Sequence, residues 1–263
     1  MSQPAAALAS LPFELVYDDG EPLETEWHTL EHPLLSELIG QAMAEQGRTD
    51  FYVGSNMFVY FSLEQARAVS EEMTKGLPWR AFRGPDVFWV GGVDPDRERK
   101  VWISWEEGGR LPDVIVELLS PSTANKDRTE KRDLYARVFR TAEYFLCDPD
   151  AGTVEGLRLA DRFYRPIQPD EDGRLWSEQL GVSFGLWHGV VKRRKGDWVR
   201  LFRPDGSLIP TDEERAEEER RRADAERQQA KAQFQRAEHE RQRADAAEAE
   251  LARLRALLAE RSR

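Results

Sequence analysis

Between Pro112 and Pro121 the chain reads Asp-Val-Ile-Val-Glu-Leu-Leu-Ser, with Glu117 set among Ile115, Val116, Leu118 and Leu119. A carboxylate in such a run is costly to bury unless it is paired, protonated or bound to a metal. The run is short and β-branched, which predicts a strand covered on both faces, and Pro121 stops it. A helical pattern follows from about 123 or 127 to 139, with Leu134 and Val138 on its apolar face. A second apolar run, 143–147, is ended by Asp148-Pro149. Strand, helix and strand at this spacing predict a βαβ unit with a right-handed crossover, which commits the chain to an α/β fold.

The flanking sequence extends that unit. From Pro33, the residues Leu34, Leu35, Leu38, Ile39, Ala42 and Met43 form one helical stripe, and Gly47 marks its end. Strands are expected at 51–53, 57–61, 87–90 and 100–105, and hairpin strands at 154–159, 162–167 and 198–202. Residues 63–75 read as amphipathic or irregular. These expectations divide the chain into an irregular lead-in (1–26), a domain (27–210) and a charged tail (211–263).

The tail begins with Thr211 and Glu214 at capping-box spacing and repeats every seven residues, with Ala223, Ala230, Ala237, Ala244, Leu251 and Leu258 in one column. Two readings stand. One is a solvated single helix held by Glu–Arg pairs. The other is a weak coiled coil that makes a homodimer, its seam limited because alanine buries little surface.

Charge narrows the function. The chain has 38 Lys/Arg and 49 Asp/Glu; 13 and 14 of these lie in the tail, leaving the first 210 residues with a net charge of about −10. Such a body has no global field drawing it to nucleic acid or anionic membrane, so phosphate chemistry needs a metal or a local basic patch. The single cysteine, Cys147, excludes an intramolecular disulfide and a cysteine zinc cluster, and reads as a small buried residue. No run is long enough to span a membrane and the start lacks a basic leader, so a soluble, cytoplasmic protein is expected.

Three acids stand out. Asp86 heads the run 87–90, and Asp113 and Glu117, four apart on an extended segment, share a sheet face. Read blandly, they are structural salt bridges to Arg128 or Arg132; read sharply, they are metal ligands. Lys131, on the helix after the Glu117 strand, is either a solvated partner of Asp127 or a group reaching back over the strand end. The cluster Lys192, Arg193, Arg194 and Lys195 is a phosphate-contact patch or a solvated hairpin tip. Gly91-Gly92 is a turn and no phosphate loop. His28, His32, His188 and His239 show no ligand spacing, and Glu37 reads as solvated or as an acid supporting the site. Ser120 and Ser122 read as caps.

The stretches GPDVFWV (84–90), PDVIVELLSPST (112–123) and DRTEKRDLYARVFRTAEYFLCDP (127–149) together resemble the Uma2 family. The resemblance covers roughly residues 30–205. It implies a restriction-endonuclease-like fold: a mixed sheet flanked by helices, here with added β-hairpins and the long C-terminal helix. It further implies metal-dependent hydrolysis of phosphodiester bonds in DNA with Mg²⁺ or Mn²⁺. Asp86 and Glu117 would be metal-binding carboxylates, and Asp113 a third ligand or a supporting group. Leu119 stands where the superfamily's usual lysine would fall, and the resemblance moves that role to Lys131, beside Tyr135. The competing reading is a catalytically silent member of the same fold that acts as a binding or scaffold module through its tail.

Overall fold

A computed structural model describes residues 13, 15, 25–76, 84–121, 123–148 and 151–261, with side chains described as far as 255. Most of the expected lead-in, and Ser122, lie outside the described residues. The chain separates into two compact units, Met1–Thr211 and Asp212–Arg263.

The first unit is built on a six-stranded mixed sheet in the order β1-β3-β5-β6-β7-β8. Its strands are β1 (Phe51–Ser55), β3 (Val87–Gly91), β5 (Val114–Leu118), β6 (Glu143–Asp148), β7 (Thr153–Ala160) and β8 (Phe163–Pro166). Only β5 and β6 run parallel, joined by the helical segment 124–139, as the βαβ reading requires. The other neighbours are antiparallel, which makes the mixed α/β sheet expected from the sequence. A pair, β2 (Val59–Tyr60) and β4 (Trp102–Ile103), and a three-stranded sheet complete the unit. That sheet consists of β9 (Leu175–Ser177), β10 (Val182–Val191) and β11 (Arg194–Phe202).

Alternation along the strands sends side chains to two cores. On one face, Val87, Trp89, Val116 and Phe145 pack against Leu35, Leu38 and Ile39 of α1 (Glu26–Glu45) and against Phe184, Val199 and Leu201. Phe145 stacks on Phe184 with ring centroids 4.1 Å apart. On the other face, Phe88, Ile115, Tyr144 and Leu146 meet Tyr135, Ala136 and Phe139 of the segment 124–139. In α1, Thr25 caps the first turn by accepting from His28 N, and the stripe expected from Leu34 to Met43 is buried. Residues 63–75 form a regular helix, α2, closed by Gly76 in the left-handed conformation (φ 61°) that glycine adopts without penalty.

The expected apolar face of segment 124–139 is corrected. Leu134 is half-buried against the core as expected, but Val138 is 48% exposed, and the buried apolar positions are Tyr135, Ala136 and Phe139. The cause is local geometry: Asp127–Lys131 and Tyr135–Phe139 are π-helical turns, and the extra residue per turn rotates the inward stripe away from a 3.6-residue period. The expected strands 57–61 and 100–105 shrink to two residues each, the second continuing as a 3₁₀ turn, Ser104–Glu106.

Glu143 joins two layers of the fold. Its buried carboxylate accepts from Arg158 Nε (3.1 Å) and Nη2 (2.9 Å), from Glu178 N (2.8 Å), and from the Ser177 hydroxyl, tying β6 to β7 and β9. Glu143→Ala strands these donors, and unfolding in urea should show a loss of about 3 kcal/mol or more. An unchanged midpoint would show that water replaces the carboxylate without cost.

The basic cluster sits at the β10–β11 hairpin tip, with Lys192 and Arg193 at positive φ, and Arg194 is 2.8 Å from Glu26. In the second unit, Asp212–Arg261 is a 50-residue helix with nearly all its described side chains exposed. At 1.5 Å per residue it is about 75 Å long. Among the described residues no helix is long and apolar enough to cross a membrane.

Candidate active site

Three elements bring the site together. In the β3–β5 ladder Val87 faces Val116, so continuing the register by one residue sets Asp86 opposite Glu117. Directly opposed side chains on antiparallel strands share a face, with Cβ atoms about 5 Å apart. Asp86 Oδ2 accepts a 2.6 Å hydrogen bond from Leu118 N, which fixes the carboxylate at the end of β5. Glu117 is fully buried, whereas the Asp86 side chain is 25% exposed, so the pair has one wet and one dry member.

The segment after β5 supplies the third element. Ser120 and Thr123 form a local turn, with Thr123 N donating to Ser120 Oγ at 3.2 Å and Ala124 N to Ser120 O at 2.9 Å. The π-helical turn that follows points Asp127 and Lys131 inwards. Lys131 Nζ lies 2.9 Å from Glu117 Oε2 and 2.7 Å from Asp127 Oδ1, and Tyr135 donates to Glu117 Oε1 at 2.8 Å. Tyr144 donates to Asp127 O at 3.0 Å, pinning the turn to β6.

The electrostatics follow from crowding. Burial raises the Glu117 pKa well above the ordinary carboxylate value; Lys131 opposes this, and Asp86 and then Asp127 add to it. Burial works against the charge of Lys131, but Glu117, Asp127 and Asp86 outweigh it and hold the lysine pKa above its usual value. Lys131 is therefore a fixed cation at neutral pH and no proton acceptor. Burial, and then Glu117, raise the Tyr135 pKa, so it remains a hydrogen-bond donor.

Helix α1 adds two histidines from the far side of the strand end. His28 Nε2 donates to Leu118 O at 3.1 Å, and its Nδ1 is 2.7 Å from Thr25 Oγ1. His32 Nδ1 is 3.0 Å from Ser55 Oγ, and its Nε2 is 3.7 Å from Asp86 Oδ1. That Nε2 is buried and has no hydrogen-bond partner among the described residues. Burial lowers the His32 pKa against the pull of Asp86, which favours the neutral ring.

Asp86, Glu117 and Lys131 thus meet, and Asp113 does not join them. Asp113 has the parity of Glu117, but four residues of strand separate them by about 13 Å. Its Oδ2 accepts from Gly91 N at 2.9 Å and lies 3.6 Å from Arg110. Nor do the expected arginine bridges form: Arg128 pairs with Glu155 and Asp148. Glu37 is half-buried on α1, and Cys147 is buried in β6, where burial raises its thiol pKa. Asp127 and Tyr135 are the site residues that sequence spacing undervalued. The Asp127–Lys131 i,i+4 spacing was a visible signal that equally fits a surface pair.

The donors suit a hard divalent cation in part. Two carboxylates are enough for an ion that keeps several waters. Asp86 Oδ1 faces the unsatisfied His32 Nε2, and the two like-charged carboxylates gain from a cation between them. Among the described residues, however, no group of three or more His, Cys, Asp or Glu side chains is spaced to hold an ion unaided. Water would therefore supply most of the coordination.

No curated protein matches the chain in sequence. The Uma2 family model, described as putative restriction endonuclease, matches residues 9–194. That match takes in α1, both carboxylate-bearing strands and the lysine helix, and on its extent the chain belongs to the Uma2 family.

Proposed function

We propose that the chain is a metal-dependent endonuclease that hydrolyses phosphodiester bonds of DNA. The observation that carries this reading is the register-opposed pair Asp86 and Glu117 with Lys131 Nζ 2.9 Å from Glu117 Oε2. Asp86 and Glu117 would hold Mg²⁺ or Mn²⁺, with His32 Nε2 next to the Asp86 carboxylate. The ion would polarise a phosphate oxygen and make a bound water more acidic. Tyr135 holds Glu117 in one orientation, and Asp127 holds Lys131. Lys131 donates to Glu117 Oε2 and is ion-paired with Asp127 Oδ1, and its remaining N–H capacity would orient the attacking water or meet the charge that develops on the phosphate. Supercoiled plasmid and single-stranded DNA incubated with the protein should be cut in Mg²⁺ or Mn²⁺ and stay intact in EDTA. A protein that cuts neither in any divalent metal would instead be a silent member of the fold, acting as a scaffold.

For the C-terminal helix we propose pairing with a second copy. Leu251 and Leu254, three residues apart on one face, are 53% and 48% exposed, and burying them against an equivalent helix contributes roughly 25 cal/mol per Å². Light scattering at micromolar concentration should show a dimer for the full chain and a folded monomer for a chain ending at Pro210. A monomeric full chain would leave the helix single and solvated.

A further inference from the structure

The segment that carries Lys131 on its inner face lines a separate hollow with its outer face. The hollow, about 430 Å³, lies between this segment and β8 and is walled by Arg128, Arg132, Arg137, Arg162, Phe163 and Tyr164. Four arginines face two acids, Glu130 and Asp133, so the hollow is net positive on a body whose overall charge is about −10. Arg128 is engaged by Glu155 and Asp148, and Arg137 lies 3.6 Å from Asp133. Arg132 and Arg162 have no ion-pair partner among the described residues. Between these arginines Phe163 leaves 66% of its surface in water, although its β8 neighbour Tyr164 is buried.

Each feature matches one part of a nucleic-acid strand. Unengaged guanidinium groups bind phosphate oxygens in bidentate fashion. An exposed aromatic ring stacks on a base, but only on one whose face is open, because paired bases in a duplex cover one another. From this geometry we infer that the hollow is a binding site for single-stranded nucleic acid, with backbone phosphates on Arg132 and Arg162 and one base on Phe163. The inference rests on the nuclease reading for the identity of the polymer and extends it. Arg132 and Lys131 are consecutive on one segment, Lys131 on its inner face and Arg132 on its outer face, so the hollow and the candidate site share that segment from opposite sides. A preference for unpaired strands would then be part of substrate selection.

The test is fluorescence anisotropy with a labelled thymidine 15-mer and a duplex of equal length, on the full chain in EDTA, where no cutting occurs. The single strand should bind more tightly than the duplex. Replacing both Arg132 and Arg162 with Ala should weaken binding at least about tenfold and reduce the salt slope by about 1.4, since each single-strand phosphate contact contributes about 0.7. Phe163→Ala should weaken binding by roughly 5- to 150-fold with the slope unchanged, and Phe163→Trp should restore it. All three side chains are exposed, so melting temperatures should match the wild type. Equal binding by these variants, or a duplex bound as tightly as the single strand, overturns the inference even if metal-dependent cutting is observed. Affinity lost in the variants of a protein that cuts nothing supports the hollow and overturns the nuclease reading alone.

Discussion

Asp86→Asn will reduce Mg²⁺-dependent cleavage by at least about 10³-fold and leave the fold intact. Asparagine keeps the oxygen that accepts from Leu118 N, so the end of β5 stays anchored. What disappears is the negative charge opposite Glu117, which is half of the proposed metal site. Asp86 pushes the buried Glu117 further towards its protonated form, so removing that charge relieves the repulsion between the two carboxylates. The variant should therefore melt at the wild-type temperature or slightly above it, as expected where function is bought with strain. Rate assays and melting curves on the same preparation separate the two effects. Cleavage that survives Asp86→Asn would place the chemistry elsewhere.

Lys131→Ala should slow cleavage by about 10²–10³-fold without weakening metal binding, because in the proposed reaction the lysine would act on the reacting groups and would not be a ligand. It also removes the cation that Glu117 and Asp127 share. Leaving buried Glu117 without its ion partner costs about 3–5 kcal/mol. Saturating Mg²⁺ should return part of that loss, since an ion bound only by the folded state stabilises it. Urea titrations with and without Mg²⁺ measure the recovery. Lys131→Arg keeps the charge and should retain more stability than the alanine variant. Because Lys131 stays protonated through the neutral range, the wild-type pH–rate profile should show no lysine deprotonation limb there. Full activity in Lys131→Ala would make it a purely structural counter-ion.

The sequence made some of this architecture visible and hid the rest for physical reasons. The β5–helix–β6 unit was legible because proline and Asp-Pro punctuate continuous apolar runs. Glu117 was legible as a charge in a place where charges are expensive. Strand β10 was not expected, because Gly185 and Gly189 interrupt its alternation; in the structure the ring of Phe202 lies against Gly185 and that of Trp187 against Gly189. The inward face of segment 124–139 was misread because π-helical turns leave no trace in a 3.6-residue count. Asp127 looked like a surface partner of Lys131, and only the fold buries both. His32 carried no spacing signal, because it meets Asp86 through tertiary packing. Asp113 shows the opposite limit: parity along a strand gives the face but not the distance along it.

The most direct measurement is the anomalous scattering of crystals grown with Mn²⁺. The account predicts one strong peak within about 2.0–2.6 Å of oxygens from both Asp86 and Glu117, with Lys131 beside it and Asp113 uninvolved. A peak held by other residues, or none at saturating Mn²⁺, would contradict the claim that these two carboxylates form a metal centre.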